Sequence, residues 1–337
     1  MANEFKGTTN VVTIMGAISS VNLKKGETTD KKTNEKCNYI TGKVTVKAGE
    51  SRQIEVKVYA KEFNFTKEGE KKENKKYQSL LGLIDGTYPT MTTVSEEEAT
   101  KVSIWGNGNF TPQFKDNFYK GSNGEMVESL EIDLGMGNFT IKEPHQVTPD
   151  QYKAEFTVTV FVHDVVEETN KEEQPTGRAK VQAYVPMYNG KVFPITLVAG
   201  KVTDQTGEEY DFGQDVLSGV QPQDTITFYG EIAFEQSEIT VQRGGEGRSI
   251  GRKVYDTKTI RVKELRVVGG TFIDDPDLMF QLEDIQEAVK QRKIEMENKK
   301  NEESEPKQTQ QKVGFGGSKP STPSMGATKP TRVMPSF

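Results

Sequence analysis

Apolar and polar residues alternate, position by position, in short runs from Asn10 to about Gly270, with turns rich in Gly, Asn, Lys and Glu between them. Alternation sends successive side chains to opposite faces, so these runs predict β-strands with one face turned to a core. The expected strands are 10–21, 38–47, 53–65, 100–110 and 127–141, then 152–167, 177–188, 191–199, 225–234 and 257–269. A short helix fits before the fourth strand of each set, over 75–83 and 211–218, the second ended by Gly219 and Pro222. After Gly270 the period changes. Asp274, Asp275, Pro276 and Asp277 make a helix start, with acids at the positive end of the dipole and proline in the first turn. Leu278, Leu282, Ile285 and Val289 then follow helical spacing, which predicts a helix over 273–300.

One short segment occurs twice, rewritten: Thr100-Lys-Val-Ser-Ile-Trp-Gly106 and Asp224-Thr-Ile-Thr-Phe-Tyr-Gly230. As strands, Val102 and Ile104 share one face, as do Ile226 and Phe228. Lys101, Ser103 and Trp105, matched by Thr225, Thr227 and Tyr229, take the other. A second pair, Thr41-Gly-Lys-Val-Thr-Val-Lys47 and Thr176-Gly-Arg-Ala-Lys-Val-Gln182, opens the second strand of each set. The chain reads as two diverged copies of one β-unit. Five strands with a helix between the third and fourth is the order of the OB-fold, a small Greek-key barrel. The expected architecture is mainly β: two tandem OB-fold-like five-stranded barrels over 1–142 and 152–272, joined by a proline-bearing linker at 143–151. A C-terminal helix and a disordered tail, 301–337, rich in Gln, Lys, Pro, Ser and Gly, follow. One large sandwich built of the same strands is the structural alternative.

Composition narrows the chemistry. The length of 337 residues suits two domains at roughly 100–200 residues each. A net charge of −6 excludes a uniformly basic coat, so contact with nucleic acid has to come from a local basic face. Cys37 is the single cysteine, which leaves no internal disulfide and fits a reducing compartment. With only His145 and His163 beside it, the chain lacks the ligand set of a His/Cys zinc site. No run approaches the ~20 apolar residues of a membrane span, and the first residues hold no apolar signal core, so a cytoplasmic protein without a membrane partner is expected. Neither a Gly-x-x-x-x-Gly-Lys-Ser/Thr loop nor a Gly-x-Ser-x-Gly elbow occurs. Leu134-Gly-Met-Gly-Asn138 is too short for a dinucleotide fingerprint, and the acidic clusters at Glu96 to Glu98 and Glu167–Glu168 read as solvated turns. No enzymatic activity and no cofactor are expected.

The candidate chemistry lies on the polar strand faces. Alternation turns Tyr39 and Lys43 outward on the second strand, Lys57, Tyr59 and Lys61 on the third, and Trp105 on the fourth. Phe161, Arg178, Lys180, Tyr184 and Tyr229 fall outward in the second half, with Arg261 and Lys263 on its last strand. Lysines neutralise phosphates and flat rings accept stacked bases, so this interleaving suits a single strand of nucleic acid. Ordinary cross-strand packing of the same rings is the alternative reading. Loops add charge: Lys24, Lys25, Lys31, Lys32 and Lys36 between the first two strands, Lys67, Lys71, Lys72, Lys75 and Lys76 across 65–76, and Arg243, Arg248 and Arg252 on a Gly-rich tether, 242–253.

With strand order, rings and tail together, the chain resembles tandem OB-fold single-stranded DNA-binding proteins of the kind phages encode. The resemblance spans 10–270 in architecture. It implies bases stacked on Tyr39, Tyr59, Trp105, Tyr184 and Tyr229, and a role in coating single-stranded DNA during replication, recombination or repair. The bacterial family ends in an acidic stretch with terminal Pro-Phe, whereas this chain ends Lys329-Pro-Thr-Arg-Val-Met-Pro-Ser-Phe337. That departure bears on whether replication or recombination proteins dock on the tail. A structural β-rich assembly protein of the virion type and an RNA-binding OB module are the alternatives.

Overall fold

The computed structural model describes residues 5–30, 34–65, 70–107, 110–121, 123, 125–170, 172–203, 206–242 and 255–302. The chain is mainly β. Its first half contains β1 (Asn10–Thr29), β2 (Lys36–Lys47), β3 (Gln53–Lys61), a small hairpin β4 (Phe63–Phe65) and β5 (Lys71–Glu73), α1 (Lys75–Ile84), β6 (Lys101–Trp105), β7 (Gln113–Lys120), β8 (Met126–Asp133) and β9 (Asn138–Lys142). The second follows the same order up to the helix and then has two long strands in place of four: β10 (Lys153–Thr169), β11 (Pro175–Pro186), β12 (Val192–Ala199), a small hairpin β13 (Lys201–Thr203) and β14 (Glu209–Asp211), α2 (Phe212–Gly219), β15 (Thr225–Gln242) and β16 (Tyr255–Phe272). The C-terminal helix α3 (Leu282–Glu302) follows. Among the described residues no helix is long and apolar enough to cross a membrane.

Both halves pair their strands in the same circuit. In the first, β1 pairs with β2 and β6, β2 with β3, β3 runs parallel to β8, and β9, just after β8, returns to β6. In the second, β10 pairs with β11 and β15, β11 with β12, β12 runs parallel to β16, and β16 returns to β15. One irregularity agrees as well. A register shift between Ile18 and Ser20 in β1 reappears between Val162 and Asp164 in β10. Ile14 lies opposite Ile104 and Val158 opposite Phe228, so Ile14 is the structural equivalent of Val158, and Val12 of Phe156.

The halves are not separate bodies on a linker. β1 pairs with β10 from Asn10↔Val158 to Met15↔Lys153, and this ladder joins twelve strands into one sheet. Its register is self-complementary: Val12 faces its own equivalent, Phe156. One contiguous core drawn from both halves lies behind it, with Phe114 and Phe156 meeting edge to face at 5.7 Å. The 143–151 stretch folds into two short 3-10 turns, Pro144–Gln146 and Pro149–Gln151, with Val147 buried between them.

Local chemistry accounts for the element ends. Asn74 caps α1 by accepting from the Lys76 backbone N–H, and Asp211 caps α2 by accepting from Gln214. The repeated segments end in glycine because a Cβ has no room there: at Gly230 it would lie 2.0 Å from the Arg266 carbonyl oxygen, and at Gly106 2.3 Å from the Thr111 Cα. Residues 22–29, expected as a lysine-rich loop, instead continue β1 and pair with 36–43. β7 has no counterpart among the expected strands, and the predicted 127–141 strand breaks at 134–137 into β8 and β9. α3 starts at Leu282 rather than near 273. The Phe280 backbone N–H donates to Thr225 Oγ1 at 3.0 Å, and its ring enters a satellite core with Phe5, Phe161, Val192, Ile285 and Ala288, which pins the chain before the helix can begin. The tail from 303 onward lies outside the described residues.

Because the Phe280 ring is buried against Phe5 at 5.7 Å, Phe280→Ala should cost about 3 kcal/mol. The measurement is the urea midpoint at unchanged slope. A loss under about 0.5 kcal/mol, ordinary for a surface substitution, would show that the helix docks without this contact.

Candidate nucleic-acid interface

The repeated segment sits where its pattern placed it. Val102, Ile104, Ile226 and Phe228 are buried, while Trp105 is 42% and Tyr229 47% exposed. The two rings share one face. Trp105 lies on the side of β6 away from Ile104, which is also the side of Thr13 on β1; Thr13 faces Glu155 on β10, and Thr157, two residues on, faces Tyr229. The strand order β6–β1–β10–β15 therefore carries an exposed ring at each end of one surface, three strand steps or roughly 14 Å apart along the sheet. Tyr229 lies across Gly269, where a Cβ would come within 2.2 Å of the phenol oxygen, so glycine is what lets the ring lie flat.

A second aromatic group forms on the outer face of β2 and β3. Tyr39 and Tyr59 stand 5.5 Å apart at 33°, with Tyr39 lying over Gly26 and Tyr59 exposed. Lys43, Lys57 and Lys61 share this face, as the alternation required. Tyr119 on β7 is also exposed, and its hydroxyl lies within the field of Lys43. Sequence reasoning missed it together with its strand, although Phe114 and Phe118 alternate with Lys115, Asn117 and Tyr119.

The second half departs from expectation. Phe161 does not face solvent: it is 2% exposed, because Phe5, Phe280 and α3 cover the outer side of β10 there. Tyr184 packs half-buried against the same cluster and meets the His163 ring at 5.6 Å. Thr159 and Thr225 are buried on that side as well. In the first half, Lys101 and Ser103 are covered too. The Lys101 ammonium donates to the Glu96 carbonyl oxygen and lies 5.8 Å from the Tyr152 ring, and burial lowers its pKa. Arg243, Arg248 and Arg252 lie outside the described residues, as do Lys31, Lys32 and Lys67.

The cations are held by acids. Lys43 reaches Glu55 at 2.6 Å, Lys57 reaches Glu131 at 3.2 Å and Lys61 reaches Asp30 at 2.9 Å. The hydrogen bond that Lys43 donates to Glu55 raises its pKa, and the one that Lys61 donates to Asp30 raises its own. On the second half a belt of alternating charge runs from Lys180 through Glu168, Arg178, Glu264, Arg266, Glu235 and Arg52 to Glu231, each contact between 2.7 and 3.7 Å. Burial of Glu264 works against its charge, but hydrogen bonds from Arg178 and Arg266 outweigh it and hold the pKa below the usual range. The Lys43–Glu55 pair, exposed on both sides, falls in the range of about 0–1 kcal/mol for a surface pair, so its exchange with an incoming phosphate is cheap. Among the described residues no group of three or more His, Cys, Asp or Glu is arranged to hold a metal.

Fold and surface together define a mainly-β protein of repeated strand order, carrying exposed rings at equivalent positions on a joined sheet. Residues 8–302 match the YorF family, and the chain belongs to it. No curated protein matches.

Tyr152 offers a titration check on this part of the fold. Burial first, then the charge of Glu96, pushes its hydroxyl to about 12, above the ~10 of an unfolded tyrosine. The raised acid stays neutral in the fold, so its contribution is complete below the unfolded value and is lost as pH rises through about 12. The phenolate absorbance of wild type minus Tyr152→Phe should therefore titrate near 12; a difference centred near ~10 would contradict the burial.

Proposed function

We propose that this protein is a non-enzymatic single-stranded DNA-binding protein with little sequence preference, acting in DNA replication, recombination or repair. Each pairing circuit is read as an OB-type barrel. The strand order, the helix before the fourth strand and the parallel closing step in both halves support that reading. The observation that carries the function is the placement of Trp105 and Tyr229 at equivalent positions, exposed on one face. Rings so presented accept any base, because every base has a π-face. Tyr39 and Tyr59 add a second stacking platform, with Lys43, Lys57 and Lys61 beside it. Arg178 and Lys180 stand at the corresponding strand of the second half, and the tether arginines 243, 248 and 252 remain candidates for closing over the strand.

A second reading, a β-rich assembly protein, is favoured by one observation: Lys43, Lys57, Lys61, Arg178 and Lys180 already have carboxylate partners on the same surface. RNA in place of DNA is a variant of the first reading, decided by competition between matched oligomers.

The test is a fluorescence-anisotropy titration of the full chain with single-stranded and duplex oligonucleotides at two salt concentrations. Single-stranded DNA should bind more tightly than duplex, with affinity falling as salt rises. Trp105→Ala should weaken binding about tenfold, within the ~1–3 kcal/mol of one stacked base, while leaving the melting temperature near that of wild type. Sedimentation as a large assembly with no oligonucleotide affinity would instead establish the second reading.

A further inference from the structure

The two halves embrace each other through their long hairpins, and the two resulting grooves have opposite chemistry. Each hairpin enters its half by the same parallel step, Lys57 beside Asp133 and Val198 beside Arg266, which makes Asp133 and Arg266 equivalent. Counting outward along the ladders, Leu130 corresponds to Lys263, and their partners Asp116 and Phe234 correspond to each other. By register alone, Glu128 corresponds to Arg261.

The first half's hairpin, β7–β8, is acidic at these positions and is occupied by the chain's own C-terminal helix. Arg292 of α3 binds Asp116 through two hydrogen bonds, at 2.7 and 3.1 Å, and Glu128 at 2.7 Å, while Lys299 lies 4.7 Å over the Phe118 ring. The second half's hairpin, β15–β16, leans toward the β2–β3 face instead and is tied there by Arg52, which bridges to Glu235 and pairs with Glu231 at 2.7 Å. The groove on this side is open. It encloses about 270 Å³ between Lys43, Glu55, Lys57 and Glu131 of the first half and Phe234, Glu235 and Lys263 of the second. Where the filled groove offers carboxylates to Arg292 of the helix, the open one offers a ring with the Lys263 ammonium 5.7 Å from its centroid, facing two further lysines. Its three carboxylates each have a cation: Glu55 has Lys43, Glu131 has Lys57, and Glu235 has Arg266 and Arg52. At the register positions of Asp116 and Glu128, the partners of Arg292, the second hairpin carries Phe234 and Arg261.

We propose that the open groove is a binding site for a single strand of DNA held between the halves. One base stacks on Phe234, and Lys263, Lys43 and Lys57 take its phosphates. The inference rests on the single-strand reading above and adds that both halves grip the same segment. Phosphate replaces Glu55 and Glu131 on their lysines, whose side chains are 42% and 47% exposed.

The experiment is anisotropy with a fluorescent oligothymidylate on full-length Phe234→Ala and Lys263→Glu, with circular dichroism melts confirming the fold. A bromodeoxyuridine oligomer is also photo-crosslinked to wild type and the adducts are mapped. Phe234→Ala should weaken binding about tenfold. Lys263→Glu should weaken it at low salt and flatten the salt dependence, the slope falling by about 0.7 for each phosphate no longer neutralised. Adducts should fall on β15 near Phe234. Wild-type affinity in both variants, with Tyr59→Ala and Trp105→Ala impaired, would overturn the groove and leave the single-strand reading standing. A wild-type chain without affinity for the oligomer would overturn both.

Discussion

The β1–β10 ladder is the contact on which the rest of the molecule depends. Backbone N–H and C=O groups along 10–15 and 153–158 satisfy one another, so neither half presents that strand edge to water. The ladder also fixes geometry. A shift of one residue would turn Val12, Ile14, Phe156 and Val158 from the core to the surface, so the hydrophobic pattern and the register enforce each other. From that register follow the common face for Trp105 and Tyr229 and the crossing of each hairpin onto the opposite half.

Much of this was legible in the sequence. The segment ending in Trp105 and its rewritten copy ending in Tyr229 identified the repeat, and alternation placed both rings outward. Both short helices fell within a residue or so of their expected ends, because Asn74 and Asp211 are capping residues just ahead of apolar positions. What alternation cannot tell is whether an outward face stays open. Phe161 and Lys101 point away from the main core as expected, yet one is covered by the chain's two ends and the other by the acidic turn at Glu96 and by Tyr152. Those coverings come from residues far away in sequence. The β1 extension through Lys24 and Lys25 was missed for a related reason: in a two-stranded arm with both faces wet, polar residues pair as well as apolar ones.

Electrostatics is the other part that composition hid. An acidic total and a basic strand face looked like separate facts, but they interlock side by side on the same surfaces. Glu168 lies between Arg178 and Lys180, and Glu235 between Arg266 and Arg52. Such a surface is close to neutral at rest and becomes cation-rich only where a stronger anion displaces its own carboxylates.

The self-complementary register has a consequence for how such a molecule can change. Two identical subunits meeting about a true dyad would have to alter in duplicate, every substitution appearing on both flanks and every association depending on dilution. Here the same meeting is made within one polypeptide, through 143–152. Its partners are always at hand, and each flank is free to drift alone. One hairpin has accordingly become the seat of the terminal helix through Asp116, while its twin, with Phe234 in that position, has been left open.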